Sequence, residues 1–192
     1  QFEKANIMTT NDSSTVDILE KNTDEIGDFC FIINGKRVFA MGTNWVPLDA
    51  FHSNDINRIQ PAIDMAVDIG CNIIRLWGGN VYENQKFFDL CDEHGIMVWQ
   101  DFGMGCAVYP QEQKFLDMMA PEEEFVIKQC RNHPSLVLWA GDNECDQAFG
   151  WSGMHSDPNQ NAITRKLIPD LLRIHDFTRP YLPSSPFIDE HA

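Results

Sequence analysis

The chain lacks any run of about 18 apolar residues, so a membrane-spanning helix is not expected. Basic residues are scarce. Against 29 Asp and Glu there are only 14 Lys and Arg, a net charge of −15. That balance disfavours nucleic acid and membrane as partners, because both select basic surfaces. It leaves neutral ligands open, sugars included. The six cysteines form no CxxC pair, which argues against a zinc ribbon or finger and favours buried free thiols. His52, His94, His133 and His155 show neither HxH nor HExxH spacing, so no metal is expected. GxGxxG and GxxxxGK[ST] are both missing, which disfavours dinucleotide and P-loop folds. Asp101-Phe102-Gly103 spells the metal-binding triplet of protein kinases, but neither HRD nor a Gly-rich loop accompanies it. Residues 1–15 are polar, without the charged-then-apolar plan of a signal peptide, and the first residue is not Met. The expectation is a segment of a longer protein. Asn11-Asp12-Ser13 fits a glycosylation sequon, a short pattern that leaves the compartment open.

What is present is a repeat of helix, glycine, apolar strand and polar or aromatic strand end. Residues 1–28 stand apart: one alternating stretch at 15–20 and a polar remainder predict the end of a preceding β domain and a linker at 21–28. Residues 29–192 form the second unit. Phe29-Cys30-Phe31-Ile32-Ile33 and Arg37-Val38-Phe39-Ala40-Met41 flank Asn34-Gly35, the strongest short hairpin signal, since both turn residues tolerate φ > 0. The second strand is expected to continue through Gly42-Thr43-Asn44-Trp45. Ile56, Ile59, Ile63, Ala66 and Val67 then fall at helical spacing before Gly70. A strand follows at 72–77, a helix carrying Phe87, Phe88, Leu90 and Cys91 before Gly95, and a strand at 96–101. Pro121 and Glu122-Glu123-Glu124 predict a helix start, because Pro fits the first turn and acids suit the positive end of the dipole. Phe125, Val126 and Cys130 make its apolar stripe. The strand 136–140 comes next, then a helix through Ile163, Leu167, Leu171 and Leu172 interrupted by Pro169, and a fifth strand opening at Tyr181.

Alternating strands and helices imply parallel pairing with right-handed crossovers. The fold class is α/β, a (β/α)8 barrel reduced to about its first half, with a β-rich N-terminal remnant; a complete barrel takes about 250 residues. Catalytic groups in such folds gather at the carboxyl ends of the strands. Glu144 and Asn143, just past the fourth strand, are therefore the leading candidates. Asp101 is expected to bond loop backbone and Asp142 to face outward. Arg75 and Trp77 share a strand face. An Arg inside a barrel needs an acidic partner, either a catalytic carboxylate or a structural one such as Asp101. Trp45, Trp77, Trp99 and Trp139 all sit near strand ends, where rings serve a core or stack on sugars.

The chain resembles glycoside hydrolase family 2, its β-mannosidase-like branch in particular. The resemblance rests on Asn34-Gly35 with 42–47, Asn72-Ile73-Ile74-Arg75-Leu76-Trp77-Gly78-Gly79 with Tyr82-Glu83, residues 88–102, Tyr109-Pro110, Asn132-His133-Pro134-Ser135, Leu138-Trp139 with Asn143-Glu144, and residues 179–186. It implies an exo-acting retaining β-glycosidase on a TIM barrel preceded by β-sandwich domains, with no cofactor and with a carbohydrate substrate. On this reading Glu144 is the acid/base, Asn143 binds the sugar 2-hydroxyl, Arg75 supports the nucleophile and Trp77 lines the sugar subsite. Asn44, Trp45, Trp99 and Asp101 are site wall or its support. The family's nucleophile is a Glu ending the seventh strand, so this stretch alone is expected not to catalyse. It would need the rest of the parent barrel and, alone, would tend to self-associate. A periplasmic, secreted or lysosomal setting goes with the resemblance. Asn80, Asp142, Gly103 and Gly105 depart from the branch's usual residues. Specificity for mannose over galactose, glucuronic acid or glucosamine therefore stays open, as do an endo-acting relative and a non-catalytic carbohydrate-binding scaffold.

Overall fold

The computed structural model describes residues 6–8, 30–151 and 157–188. The strand expected at 15–20, the linker, the sequon and His155 lie outside them. Two sheets are present. The smaller is antiparallel, in the order β1 (Asn6–Met8), β2 (Cys30–Ile33), β3 (Lys36–Val38). Its hairpin turn has Asn34 at φ 50° and Gly35 at φ 76°, as an Asn-Gly turn requires. The larger is parallel, and its strands lie in chain order: β4 (Gly42–Trp45), β5 (Ile73–Leu76), β6 (Met97–Asp101), β7 (Leu136–Ala140) and β8 (Tyr181–Leu182). Helices α1 (Ile59–Asp68), α2 (Gln85–His94) and α3 (Gln113–Cys130) fill the first three crossovers, and α4 (Cys145–Trp151) and α5 (Ile168–His175) share the fourth. This is a truncated (β/α)8 barrel.

Three expectations change. β3 and β4 are not one strand: the chain leaves the hairpin after Val38 and joins the other sheet at Gly42. Alternation alone cannot register a change of partner. Pro121 does not start a helix but lies inside α3, which begins at Gln113. Its ring is tolerated because Pro121 and Asp117, whose carbonyl loses its N–H partner, both face solvent. The buried stripe of α3 is Glu123, Val126, Ile127 and Cys130, at i, i+3, i+4 and i+7. Phe125 falls on the opposite side and is 63% exposed. Where Pro169 was expected to interrupt a helix, a π-turn over Ile163–Leu167 runs directly into α5, with Pro169 in its first turn.

Two apolar layers flank the parallel sheet. Between sheet and helices lie Ile59, Ile63, Ile74, Leu76, Phe87 and Phe88, with Trp139 stacked 5.1 Å from Phe102. Each such side chain contributes about 1.5–3 kcal/mol on burial. On the inner face, Phe31 of the hairpin packs with Ile73, Met97, Val137 and Leu138, so the small sheet covers the amino ends of the barrel strands. Val98 pairs with Leu136 and Trp99 with Leu138, which makes Val137 the extra residue of a bulge. The helix α2 is capped as its sequence suggests. Asn84 Oδ1 accepts the Phe87 N–H, and Gly95 ends the helix in the left-handed region at φ 69°. Among the described residues no helix is long and apolar enough to cross a membrane.

Candidate active site

Parallel register places Asn44, Arg75 and Trp99 side by side on the inner face of β4, β5 and β6. Asp101, two residues past Trp99, shares that face at the end of β6. Its carboxylate is fully buried and gathers four donors. Arg75 Nη2 reaches Oδ2 at 2.6 Å and Nε reaches Oδ1 at 3.3 Å; the Trp99 indole N–H donates to Oδ1 at 2.8 Å and the Gly78 amide to Oδ2 at 3.0 Å. Gly78 is required there, since a Cβ would lie 2.2 Å from the Met104 carbonyl oxygen. Burial pushes the Asp101 carboxyl up to about 6, and Arg75 pulls it back. The same Nη2 donates to Asn143 Oδ1 at 2.8 Å, and Nη1 to Asn44 Oδ1 at 3.3 Å. One guanidinium thus ties together the ends of β4 and β6 and the turn after β7, 5.7 Å over the Trp99 ring. An open cleft of about 460 Å³ runs from Asn44, Arg75 and Trp99 down to Phe31.

The turn after β7 is fixed residue by residue. Asp142, expected to face outward, is fully buried: its Oδ1 accepts the Ser184 hydroxyl and the Cys145 N–H, capping α4. Burial pushes its carboxyl up to about 7. Outward and inward positions alternate only within a strand, and Asp142 lies beyond the strand's end. Asn143 is held by Arg75. Glu144 sits at φ 60°, a left-handed conformation that costs a non-glycine residue about 1–2 kcal/mol. Its N–H donates to the Ser185 carbonyl at 3.1 Å. Strain of this kind gathers at functional sites. The half-buried Glu144 side chain accepts the Cys106 thiol at Oε2, 3.3 Å away, and the Asn143 Nδ2 donates to Cys106 Sγ at 3.4 Å.

The loop after β6, which carries Cys106, is pinned by two tyrosines. Gly103 N–H donates to the Tyr82 hydroxyl at 2.7 Å and Gly105 N–H to the Tyr109 hydroxyl at 3.1 Å. Tyr82 in turn donates to the buried Glu123 of α3 at 3.2 Å. Burial, with Glu122 adding to it, pushes the Glu123 carboxyl up to about 8. A folded value above the ordinary one means that stability is present at low pH and lost as pH rises from the ordinary value through about 8. Glu123→Gln is therefore expected to match the unsubstituted protein near about pH 4 and to exceed its stability by a few kcal/mol near about pH 9. Thermal unfolding at the two pH values checks this, and an advantage equal at both would refute it.

A family model described as "Glycosyl hydrolases family 2, TIM barrel domain" matches residues 25–181. This chain belongs to glycosyl hydrolase family 2. The family-2 chain is 37% identical to a β-mannosidase of Rattus norvegicus over 167 residues, 82% of this chain and 19% of that protein. It is 32% identical to β-mannosidase B of Aspergillus fumigatus over 189 residues, 91% of this chain and 22% of that protein. The crystal structure of a β-D-mannosidase from Dictyoglomus thermophilum superposes on it with a TM-score of 0.83 at 38% identity, covering 99% of this chain and 22% of that one. The chain thus spans about a fifth of the length of these relatives.

Of the eight residues singled out in this family-2 domain, the structure brings Asn44, Arg75, Trp99, Asp101 and Asn143 into one network, with Glu144 beside it through Cys106. Trp77 stands half-buried past the end of β5, its ring against Gly79. Trp45 is separated from them: it points to the helix side, packs 4.9 Å from Phe87 and donates to Glu83 at 2.9 Å. Trp139 likewise belongs to the core and bonds Asp176. Cys106 was missed. Cys91, Cys130 and Cys145 are buried and free as expected, but Cys106 is exposed. The glycines at 103 and 105 were the one signal that its loop is unusual.

Proposed function

We propose that this chain supplies the acid/base half of a retaining exo-β-mannosidase. The observation that carries the reading is the Asn143-Glu144 turn, with Asn143 locked to Arg75 and Glu144 held at positive φ beside it at the carboxyl end of a barrel strand. The relatives named β-mannosidase support mannose as the sugar. Retention needs two carboxyl groups about 5–5.5 Å apart. The second, a Glu ending the seventh barrel strand, is contributed from outside the five strands described here.

In the first step that nucleophile attacks the anomeric carbon, and protonated Glu144 gives its proton to the departing oxygen. In the second, Glu144 takes a proton from water, which attacks the anomeric carbon and releases the sugar and the nucleophile. Arg75, already paired with Asp101, holds Asn143 Oδ1, and Nδ2, which gives one N–H to Cys106, has a second to offer the sugar 2-hydroxyl. Trp77 offers a ring face to the sugar, and Asn44, Trp99 and Asp101 hold the guanidinium in place. Trp45 lies behind the strand, on the helix side, and only supports it. Phe39, 82% exposed, and Met41, 52% exposed, immediately precede the edge strand β4 and support association of the piece when it is alone.

The full-length protein is expected to release mannose, and only mannose, from the non-reducing end of β-linked manno-oligosaccharides. It should also cleave an aryl β-mannoside faster than the matching galactoside or glucuronide. Chromatography of early products checks the first point; internal fragments would instead mean endo action. Preference for another aryl glycoside would reassign the sugar.

A further inference from the structure

A second polar cluster lies between the loops after β4 and β5 and plays no part in the reaction just described. His52 and Asp55 stand on a 3₁₀ turn, His52–Asn57, and Glu83 on the loop that precedes α2. One potential ligand atom from each lies within 4.8 Å of the other two. His52 Nδ1 is 2.8 Å from Asp55 Oδ2. The carboxylates are buried, at 1% and 6% exposure, while the His52 side chain is 40% exposed and gives the cluster an opening to solvent.

Each carboxylate has one oxygen engaged and one without a partner. Asp55 Oδ2 accepts the Leu48 N–H as well as facing His52, and Glu83 Oε1 accepts the Trp45 indole N–H. Asp55 Oδ1 and Glu83 Oε2 are buried with no hydrogen-bond partner. Among the described residues no Lys or Arg pairs with either group; Arg58, three residues from Asp55, pairs with Asp49, and Lys86, three residues from Glu83, donates to the Ile56 carbonyl. Two neighbouring buried carboxylates without a Lys or Arg partner are costly. The other cluster of this composition, Asp89, Asp92 and His133, is different. There His133 is bonded on both ring nitrogens, to Asp92 and Gln85, and Asp92 also accepts the Ser135 N–H.

We propose that His52, Asp55 and Glu83 form a site for a divalent cation of the Zn²⁺ or Mn²⁺ class, which joins two loops at the carboxyl rim of the barrel. One imidazole and two carboxylates suit these ions by donor type. The two unpartnered oxygens supply the anionic ligands. The Trp45 N–H orients Glu83, as outer hydrogen bonds orient metal ligands. The site is invisible to motif spacing because its ligands come from two loops on either side of β5.

The test uses the full-length protein stripped with a chelator and titrated calorimetrically with MnCl₂ and with ZnCl₂, alongside thermal unfolding. One saturable equivalent per chain and a rise in melting temperature are expected. Asp55→Asn and Glu83→Gln should each weaken binding at least about ten-fold and abolish the rise, while melting no lower than the stripped protein, because each removes a charge from a buried pair. His52→Ala, at an exposed side chain, should weaken binding with the fold intact. Asp89→Asn in the other cluster should change nothing. Absence of saturable binding, or binding that survives both carboxylate substitutions, would overturn the proposal. So would a stripped protein as stable as one with metal, the result of a proton shared between the two carboxyls.

Discussion

Replacing Glu144 with alanine in the full-length protein is expected to slow hydrolysis of natural β-mannosides by about 10²–10⁴-fold, the range of a general acid. Aryl mannosides with good leaving groups need little protonation, so their first step should survive. Their second step should stall for want of a base, and azide, a nucleophile that needs none, should restore turnover and leave a β-mannosyl azide. The geometry adds a second outcome. Glu144 holds φ 60° at a cost that glycine does not carry. Glu144→Gly should therefore be as inactive as the alanine variant, yet more stable than the parent by about 1 kcal/mol. Equal loss on both substrate types without azide rescue would remove Glu144 from the acid/base role. A glycine variant less stable than the alanine one would remove the strain argument.

Arg75→Met should cost the barrel about 3–5 kcal/mol, the penalty for leaving one member of a buried pair uncompensated. Asp101 would keep only the Gly78 and Trp99 N–H groups. The loss should depend on pH. With Arg75 present, burial already raises the Asp101 carboxyl to about 6, so stability falls as pH rises from the ordinary carboxylate value to about 6. Without the guanidinium the folded value goes higher, and the fall continues to a higher pH. The gap between variant and parent should thus be small near about pH 5, where Asp101 takes a proton, and widen towards about pH 8. Adding Asp101→Asn should recover much of it. Melting curves at both pH values decide the matter: a gap independent of pH would mean that Arg75 stabilises through packing on Trp99. Activity should fall with Arg75→Met even at the lower pH, because Asn143 loses the bond that fixes its amide.

Much of this was legible in the chain. Gly95 marked the end of α2 to the residue, because only a left-handed C-cap needs a glycine there. The Asn34-Gly35 turn fixed its own hairpin. The need of Arg75 for an acid was legible, with Asp101 one of the partners left open beside a catalytic carboxylate; the structure pairs it with Asp101. The failures share a cause: local pattern does not say what lies on each side. Trp45 and Trp139 lie towards the carboxyl ends of apolar strands much as Trp99 does, but a buried strand is apolar on both faces, and only the sheet's register shows which face is inside. Glu123 read as a charge for the helix dipole and is in fact a core-facing position of α3. Asp142 read as outward and is a buried cap, for its partner Ser184 comes from the next crossover. Asn6–Met8, too short within a largely polar segment to carry a strand signal, became one by pairing with β2.

The bond from Glu144 N–H to the Ser185 carbonyl bears on how the protein is made. Domains form from the amino end as the chain emerges, at about 5–20 residues per second. The pairing of β4 to β7 and the Arg75–Asp101 bond join residues no later than Ala140 and can form early. The Glu144 peptide and the Asp142 cap wait for Ser184 and Ser185, which arrive only after α4 and α5 have been translated. A ribosome paused in that interval would hold a nascent chain with its ion pair closed and Glu144, the proposed acid/base, still without a fixed place.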